Sequence, residues 1–244
     1  MPRRSGPNGE HTGMRVPLFD AARRLTVPRF AEPNAGPIDD SAERLANTGS
    51  PPSDEELALH RFFLYFLMPL WFVPSIADWW WHKKSDIEHT AGTHESVTHL
   101  LMMSAVGVPV TMSLLCDINA LVIVAMMGGL LAHEGISYWD VRYAKSLRRV
   151  DAIEQHTHSF LEMIPLMALS AMMCLRPKQF AAAFGRGDEP ARWHLELKER
   201  PLSPRYLTAI VGCIVAFVAA PYTEEFFRCL RVDHTLLPHE AERP

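Results

Sequence analysis

Five long apolar runs occupy the chain from His60 onward, and they restrict the folds open to it more than any other feature. A bilayer core of about 30 Å needs roughly 20 helical residues to cross it, and each run is close to that length. Proline inside the first run is compatible with this interpretation, because membrane helices tolerate it better than soluble ones. We therefore predict an all-α integral membrane protein, a bundle of four to five transmembrane helices. The predicted spans are residues 62–81, 97–116, 118–138, 159–175 and, shorter than the others, 206–222.

Residues 1–57 differ sharply in composition from these runs. They are rich in Pro, Gly, Asn and charge and hold no sustained helical or strand period, so we predict a disordered polar N-terminal tail. Residues 16–24 offer at most one or two amphipathic turns. The start is basic, but no apolar stretch with a small-residue cleavage site follows, so a secretory signal peptide is not expected. The predicted organisation is this tail, a membrane bundle over 58–231 and a short polar C-terminal tail over 232–244.

Net charge and cysteine usage exclude several classes of protein. A formal net charge of −4 and a pI near 6.3 give no basic surface, so nucleic acid is not an expected partner. The cysteines are scattered in or near the apolar runs and form no CxxC pair. A disulfide framework or a thiolate zinc site is therefore not expected. The cysteines are Cys116, Cys174, Cys213 and Cys229.

Carboxylates and imidazoles cluster at one end of each of the first four spans. If successive spans alternate in direction, these ends share one side of the membrane. Residues four apart share a helix face, as in Asp78/His82 and Glu95/His99. Ionisable groups at membrane depth are costly and indicate function by default. The predicted metal ligands are Asp78, His82, His89, Glu95, His99, His133, Asp140, His156, His158 and Glu162, with Glu154 and Gln155 as outer partners that orient imidazoles.

An interfacial explanation stays open for each of these groups. Any of them could be solvated at the membrane surface or paired with a nearby basic residue such as Arg148. We favour that explanation for the polar residues of the segment that connects the first two spans. The end of the fifth span returns to the same side, and we interpret its Glu224 and Glu225 as a solvated helix end. The deeper pairs in the second and fourth spans are expected to form a site.

The ligand types narrow the choice of metal. Imidazole and carboxylate without thiolate suit iron, zinc or manganese, and disfavour copper(I), calcium and magnesium. The supply of candidates exceeds what one tetrahedral zinc uses, which favours two ions with bridging carboxylates, as in ferritin-like di-iron bundles. The four-residue spacing differs from the Glu-x-x-His spacing of those bundles. We predict two metal ions, with iron preferred and with zinc or haem b as alternative cofactors.

The segment EQHTHSFLE at residues 154–162 comes nearest to a histidine box. In architecture the chain resembles integral-membrane desaturases and hydroxylases, whose histidine boxes lie at one membrane face. It departs from them because no HxxHH box occurs. The predicted chemistry is likewise oxidative: a di-iron pair that activates dioxygen and attacks a C–H bond of a lipid or other apolar substrate, with an electron-donor protein as a further partner.

Other functions remain open on the sequence alone. A dinuclear zinc hydrolase that acts on lipids would use the same ligands. A haem b electron carrier needs two facing histidines, for which His99 with His133 or His158 would serve, although the many carboxylates count against it. A metal transporter or sensor would place its ligands along a path nearer mid-membrane. A non-catalytic scaffold is the remaining alternative.

The basic residues of the ligand-side loops place the site on the cytoplasmic face by the positive-inside rule, in a bacterial-type inner membrane. The loop at 176–205, on the other side, is also basic and weakens this bias. With five spans, the N-terminal tail would then have to cross the membrane. A re-entrant hairpin over 62–81, broken at Pro69 and Pro74, would remove that conflict.

Overall fold

The computed structural model describes residues 52–236, with side chains as far as residue 233. Five of its helices are long and apolar enough to cross a membrane, which confirms the predicted all-α membrane bundle. The predictions for residues 1–51, including the amphipathic segment 16–24, and for residues 237–244 lie outside the described residues. The helices are α1 (Asp54–Lys84), α2 (Gly92–Leu115), α3 (Ala120–Leu147), α4 (Ala152–Leu175), the short α5 (Pro177–Ala183) and α6, which joins Pro204–Ile214, a π-helical turn Val215–Ala219 and Ala220–Leu236.

Helix α1 begins earlier than the composition of the chain predicts. The Ser53 hydroxyl accepts from the Glu56 amide at 3.2 Å, and the Glu56 carboxylate accepts from the Ser53 amide at 2.9 Å. This reciprocal pair is a capping box, which satisfies two otherwise unpaired backbone donors. Residues 54–57, predicted as part of the tail, are therefore helical. At the other end of the bundle α6 likewise continues to Leu236, past the predicted start of the C-terminal tail.

The first span is one continuous helix, so the re-entrant hairpin is wrong. A π-helical turn at Phe63–Leu67 lies directly before Pro69, whose ring nitrogen has no hydrogen to donate to the helical ladder. Pro74 also lies inside the helix. Since α1 crosses once, its N-terminal end and the Asp78/His82 pair lie at opposite ends of the bundle.

Helices α2 and α3 approach most closely at Gly129. A Cβ atom there would lie 2.8 Å from Pro109 Cγ and would also strike the carbonyl oxygen of Ala105. Gly128 and Gly135, on the same helix, face open space, with nothing within 4 Å of a built Cβ. A small residue at Gly129 therefore sets the α2–α3 distance.

The two ends of the bundle differ in chemistry. The apolar core fills the half that holds the start of α1 and the α2–α3 turn, with Phe63, Ile123 and Met172 fully buried. The segment after α4 covers that end: the Asp117 amide donates to the Glu196 carbonyl at 2.7 Å, and the Lys198 amide to the Leu115 carbonyl at 3.0 Å. The opposite half holds the polar residues described next.

Candidate metal centre

Five helices bring buried acids and imidazoles together in the second half of the bundle. Helices α1 and α6 contribute through their last turns, α2 and α4 through their first, and α3 through its second half, as alternating spans require. Apart from His158, whose side chain is 12% exposed, the core members are almost wholly buried. These members are Asp78, His82, Glu95, His99, His133, Asp140, Glu154, His158 and Glu225.

Glu225 fixes two histidines at once. Its Oε2 lies 2.9 Å from His82 Nδ1, and its Oε1 lies 2.9 Å from His99 Nδ1. A carboxylate only accepts, so each Nδ1 carries a proton, and in the neutral form of each ring Nε2 keeps a free lone pair. The two rings stack with their centroids 4.4 Å apart and their planes 6° from parallel. Histidine ligands of metals are commonly oriented in this way, by an outer carboxylate on the second nitrogen.

The free nitrogens of this pair face free carboxylate oxygens. His82 Nε2 lies 3.6 Å from Asp78 Oδ1, and His99 Nε2 lies 3.4 Å from Asp140 Oδ2. All four atoms are buried, and none has a hydrogen-bond partner among the described residues. Buried polar atoms nearly always make hydrogen bonds, so four ligand-type atoms close together without one form a candidate position for a metal ion.

Each of the two aspartates is held by its other oxygen. The Tyr222 hydroxyl donates to Asp78 Oδ2 at 3.0 Å, and the Thr98 hydroxyl donates to Asp140 Oδ1. Asp78 Oδ1 also has His158 Nε2 at 2.8 Å, a distance suited to an ion pair although the contact lies off the hydrogen-bond direction. The outer hydroxyls thus leave one oxygen of each aspartate facing the imidazoles.

A cavity of about 10 Å³ lies beside this cluster, enough for roughly one water-sized occupant. His133 Nδ1 is buried there without a hydrogen-bond partner and lies 3.6 Å from Glu134 Oε1. Glu162 lines the same cavity and accepts from the Ser137 hydroxyl at 2.8 Å. The cavity is lined by Asp78, His99, Met102, Met103, His133, Ser137, His158, Leu161, Glu162 and Tyr222.

Arg148, directly after the end of α3, lies at the edge of the cluster. Its guanidinium donates to Glu95 Oε1 at 2.6 Å and to Glu154 Oε2 at 2.9 Å, and its side chain is only 5% exposed. Burial opposes the charge, but the hydrogen bonds to Glu154 and Glu95 outweigh it and raise the pKa of Arg148. Glu95, predicted as a ligand or bridge, therefore shares its carboxylate with an arginine, as the interfacial explanation anticipated.

Three predicted members are not brought to the cluster. His89 lies on an exposed 3₁₀ turn after α1, where its Nδ1 is 2.8 Å from Asp86 Oδ1. His156 and Gln155 are exposed on α4. The inward face of α4 carries positions 154, 158 and 162, whereas positions 155 and 156 lie on its exposed face. Eight of the ten predicted ligands remain in or beside the cluster: Asp78, His82, Glu95, His99, His133, Asp140, His158 and Glu162.

The structure adds two residues that sequence reasoning missed. Glu225 is fully buried at the centre of the site, so its interpretation as part of a solvated helix end is wrong. Tyr222 is three residues before it and shares its helix face. The alternation of spans already placed the end of α6 on the site's side, which was the available signal. The adjacent Glu224 fits the original interpretation better: it is partly exposed and accepts from Trp79 Nε1 at 2.9 Å.

Two overlapping sets of residues have ligand atoms close enough to hold a metal ion. In Asp78, His82 and His158, and again in His82, Glu95 and His99, the ligand atoms lie within 4.8 Å of one another. A third such set, Asp86, Glu88 and His89, is solvent-facing. Comparison with family models, curated proteins and solved structures finds no match, so the function is inferred from the geometry of this site.

Proposed function

We propose that the protein is a membrane-embedded dinuclear metal enzyme, a di-iron oxidoreductase of the hydroxylase or desaturase kind, which acts on a lipid or other apolar substrate. The observation that carries this proposal is the parallel stack of His82 and His99 on Glu225. A ring nitrogen binds a metal in the plane of its ring. Two planes only 6° apart do not meet near the site, so a single ion bound by both rings would lie out of the plane of at least one of them. The stack therefore favours two ions side by side, as in two-metal sites about 3.5–4 Å apart.

The ligand atoms without hydrogen bonds form two groups, one for each proposed ion. His82 Nε2, Asp78 Oδ1 and His158 Nε2 would hold one ion. His99 Nε2 and Asp140 Oδ2 would hold the other. His133 and Glu162 face the adjoining cavity and would complete the coordination from α3 and α4.

The donor set supports iron. Imidazole and carboxylate without thiolate suit this metal, and carboxylates on neighbouring helices are its usual bridges in helical bundles. When bound, an iron pair supplies the redox capacity to activate dioxygen and oxidise a C–H bond. The chain supplies the rest: Glu225 orients two imidazoles, Tyr222 and Thr98 orient two aspartates, and burial excludes bulk water. Hydroxylation consumes electrons, so an electron-donor protein remains an expected partner.

We place the site at the cytoplasmic face of a bacterial-type inner membrane. The support is the basic character of the short loops on the site's side, which include Lys83, Lys84 and Arg149. Because α1 is one continuous helix, Asp54 lies at the end of it opposite the site. Tagging each end and testing access of a membrane-impermeant label in intact cells would check this orientation.

The first test is metal content and the optical spectrum of detergent-purified protein. We expect about two irons per chain and no Soret band, as a two-metal site requires. His99→Ala and His158→Ala should each lose most of the bound metal. His194→Ala is the matched control, because the His194 imidazole is exposed at the opposite end of the bundle and pairs there with Glu196.

Each other outcome contradicts a stated part of the proposal. About two zincs would replace oxidation by hydrolysis through a metal-bound hydroxide. A Soret band would indicate haem b. Protein that binds no metal after reconstitution, or equal metal in all three variants, would overturn the site itself.

A further inference from the structure

Two apolar grooves open on the outer surface of the bundle. The α2/α6 groove has a volume of about 480 Å³, and the α2/α3 groove about 660 Å³. Both sizes fall in the range of small-molecule sites. Residues of the α2/α6 groove include Trp71, Met103, Gly107, Val218, Ala219 and Tyr222. Those of the α2/α3 groove include Thr93, Val97, Leu101, Ala132, Gly135 and Trp139.

The smaller groove shares part of its lining with the cavity beside the cluster, and the larger groove does not. Met103 and Tyr222 line both the α2/α6 groove and the cavity beside the cluster. Tyr222 also donates its hydroxyl to Asp78. The α2/α3 groove reaches the site only through Thr98, which donates to Asp140, and has no lining residue in common with that cavity. Met103 and Tyr222 are therefore the side chains through which the α2/α6 groove meets the cavity that holds the ligand atoms.

The wall of the α2/α6 groove is locally irregular. The π-helical turn Val215–Ala219 of α6 contributes Val218 and Ala219 to it. Such turns inside α-helices are frequent at functional sites because they change the direction of the side chains that follow. On the facing helix Gly107 leaves open space, since a Cβ built there meets nothing within 4 Å. The groove is thus bounded by small residues and a widened turn.

We propose that the α2/α6 groove is the substrate channel and that it takes a single hydrocarbon chain of a membrane lipid or fatty acid, with Met103 and Tyr222 at its inner end. This inference rests on the proposed function and names its substrate class. The lining is mostly apolar: the Ser104 and Thr111 hydroxyls donate to carbonyls of their own helix, and Thr223 adjoins Tyr222 at the inner end, where the chain carbon to be oxidised would lie beside the ligands. A chain reaches the groove laterally from the bilayer and needs no aqueous path.

The test substitutes one glycine in each groove. Gly107→Leu fills the α2/α6 groove, and Gly135→Leu fills the α2/α3 groove. A Cβ built at either glycine has nothing within 4 Å, so the backbone tolerates both substitutions. Purified protein in nanodiscs is irradiated with palmitic acid that carries a diazirine, and adducts are mapped by peptide mass spectrometry. We expect adducts on Met103 and Val218 in the unaltered protein. They should fall about tenfold in Gly107→Leu, equivalent to ~1.4 kcal/mol, and stay unchanged in Gly135→Leu.

Adducts spread evenly over both grooves, or unaffected by Gly107→Leu, would indicate ordinary lipid contact and overturn the channel. Metal content is measured on the same samples, so the two proposals fail separately. Selective adducts on protein without metal would keep the channel and remove the di-iron enzyme. Two irons with unselective adducts would do the reverse.

Discussion

At the scale of single residues, the centre of the site is a carboxylate that touches no proposed metal. Glu225 accepts from His82 and His99 through separate oxygens and is fully buried. It thereby sets the tautomer of both rings and the parallel stacking on which the two-ion proposal depends. Glu224, one residue earlier, faces Lys83 and Arg228 instead. The adjacent residues Glu224 and Glu225 therefore differ in both burial and partners.

Glu225→Gln should weaken metal binding without loss of the fold. A glutamine has one acceptor oxygen, so one of the two imidazoles loses its orienting acceptor and meets an amide N–H instead. Outer partners of metal-bound histidines typically contribute 10–100-fold in affinity, and we expect a loss on the order of tenfold. Isothermal titration of metal-free protein with Co²⁺ measures it, with far-UV circular dichroism to show that helix content is kept.

Glu224→Gln is the matched control for that substitution. It removes a partly exposed carboxylate from the same helix turn and should leave Co²⁺ affinity within about twofold, because exposed ion pairs contribute little. Equal losses in the two variants would assign the effect to the charge at the helix end and not to the orientation of the imidazoles.

At the scale of elements, the helices are held at the spacing that the cluster needs. Ligands on α2 and α3, such as His99 and Asp140, approach within 3.4 Å only because these helices run close together. Gly129 sets that distance against Ala105 and Pro109. The four-residue repeat inside each helix brings a pair to one face, whereas the contact between pairs comes from helix packing.

Gly129→Ala should destabilise the bundle. Its Cβ would overlap the Ala105 carbonyl and Pro109, both parts of a rigid helix, so α2 and α3 have to move apart. Overpacking of this kind costs about 1–3 kcal/mol, and thermal unfolding in detergent should show a lower midpoint. Gly128→Ala is the control, since its Cβ meets nothing within 4 Å and alanine favours a helix over glycine. An unchanged midpoint in Gly129→Ala would mean that the helices are free to separate.

At the scale of the whole molecule, the polar site lies at one end of the bundle, and a chain segment covers the apolar end opposite. The segment after α4 lies over the α2–α3 turn, where Lys198 is buried and donates through Nζ to the Cys116 carbonyl. Burial, with Arg176 nearby and only partial compensation from Asp117, lowers the pKa of Lys198 from 10.5 to about 8. The charged form of Lys198 therefore destabilises the folded chain.

The free energy of unfolding should therefore rise with pH between about pH 8 and pH 10.5. The unfolded chain holds the Lys198 proton up to about pH 10.5, and the folded chain loses it from about pH 8, so unfolding takes up a proton between these values. The cost is fully present below pH 8 and is relieved toward pH 10.5. The midpoint of thermal unfolding should increase across this range in the unaltered protein.

Lys198→Met should remove that increase while it preserves the length of the buried side chain. The difference between the two pH profiles isolates Lys198 from tyrosines and other lysines that also titrate at high pH. Parallel profiles for the two proteins would show that Lys198 is solvated and that the loop does not cover it.

The membrane bundle and most of the site's buried members follow from the sequence alone. Apolar length determines spans, and alternation of spans determines which ends meet, so the Asp78/His82 and Glu95/His99 pairs were identifiable without coordinates. The start of α1 was also encoded, in the Ser53–Glu56 capping box, although composition alone assigned those residues to the tail.

Only the tertiary structure decided how the polar groups share partners. Glu95 pairs with Arg148, whereas Glu225 is buried and accepts hydrogen bonds from His82 and His99. Neither pairing is determined by a single helix. The physical reason is that burial and pairing of a charge depend on groups far apart in the chain, 143 residues in the case of His82 and Glu225. Helical period fixes the face of a side chain; the packing of five helices decides what that face meets.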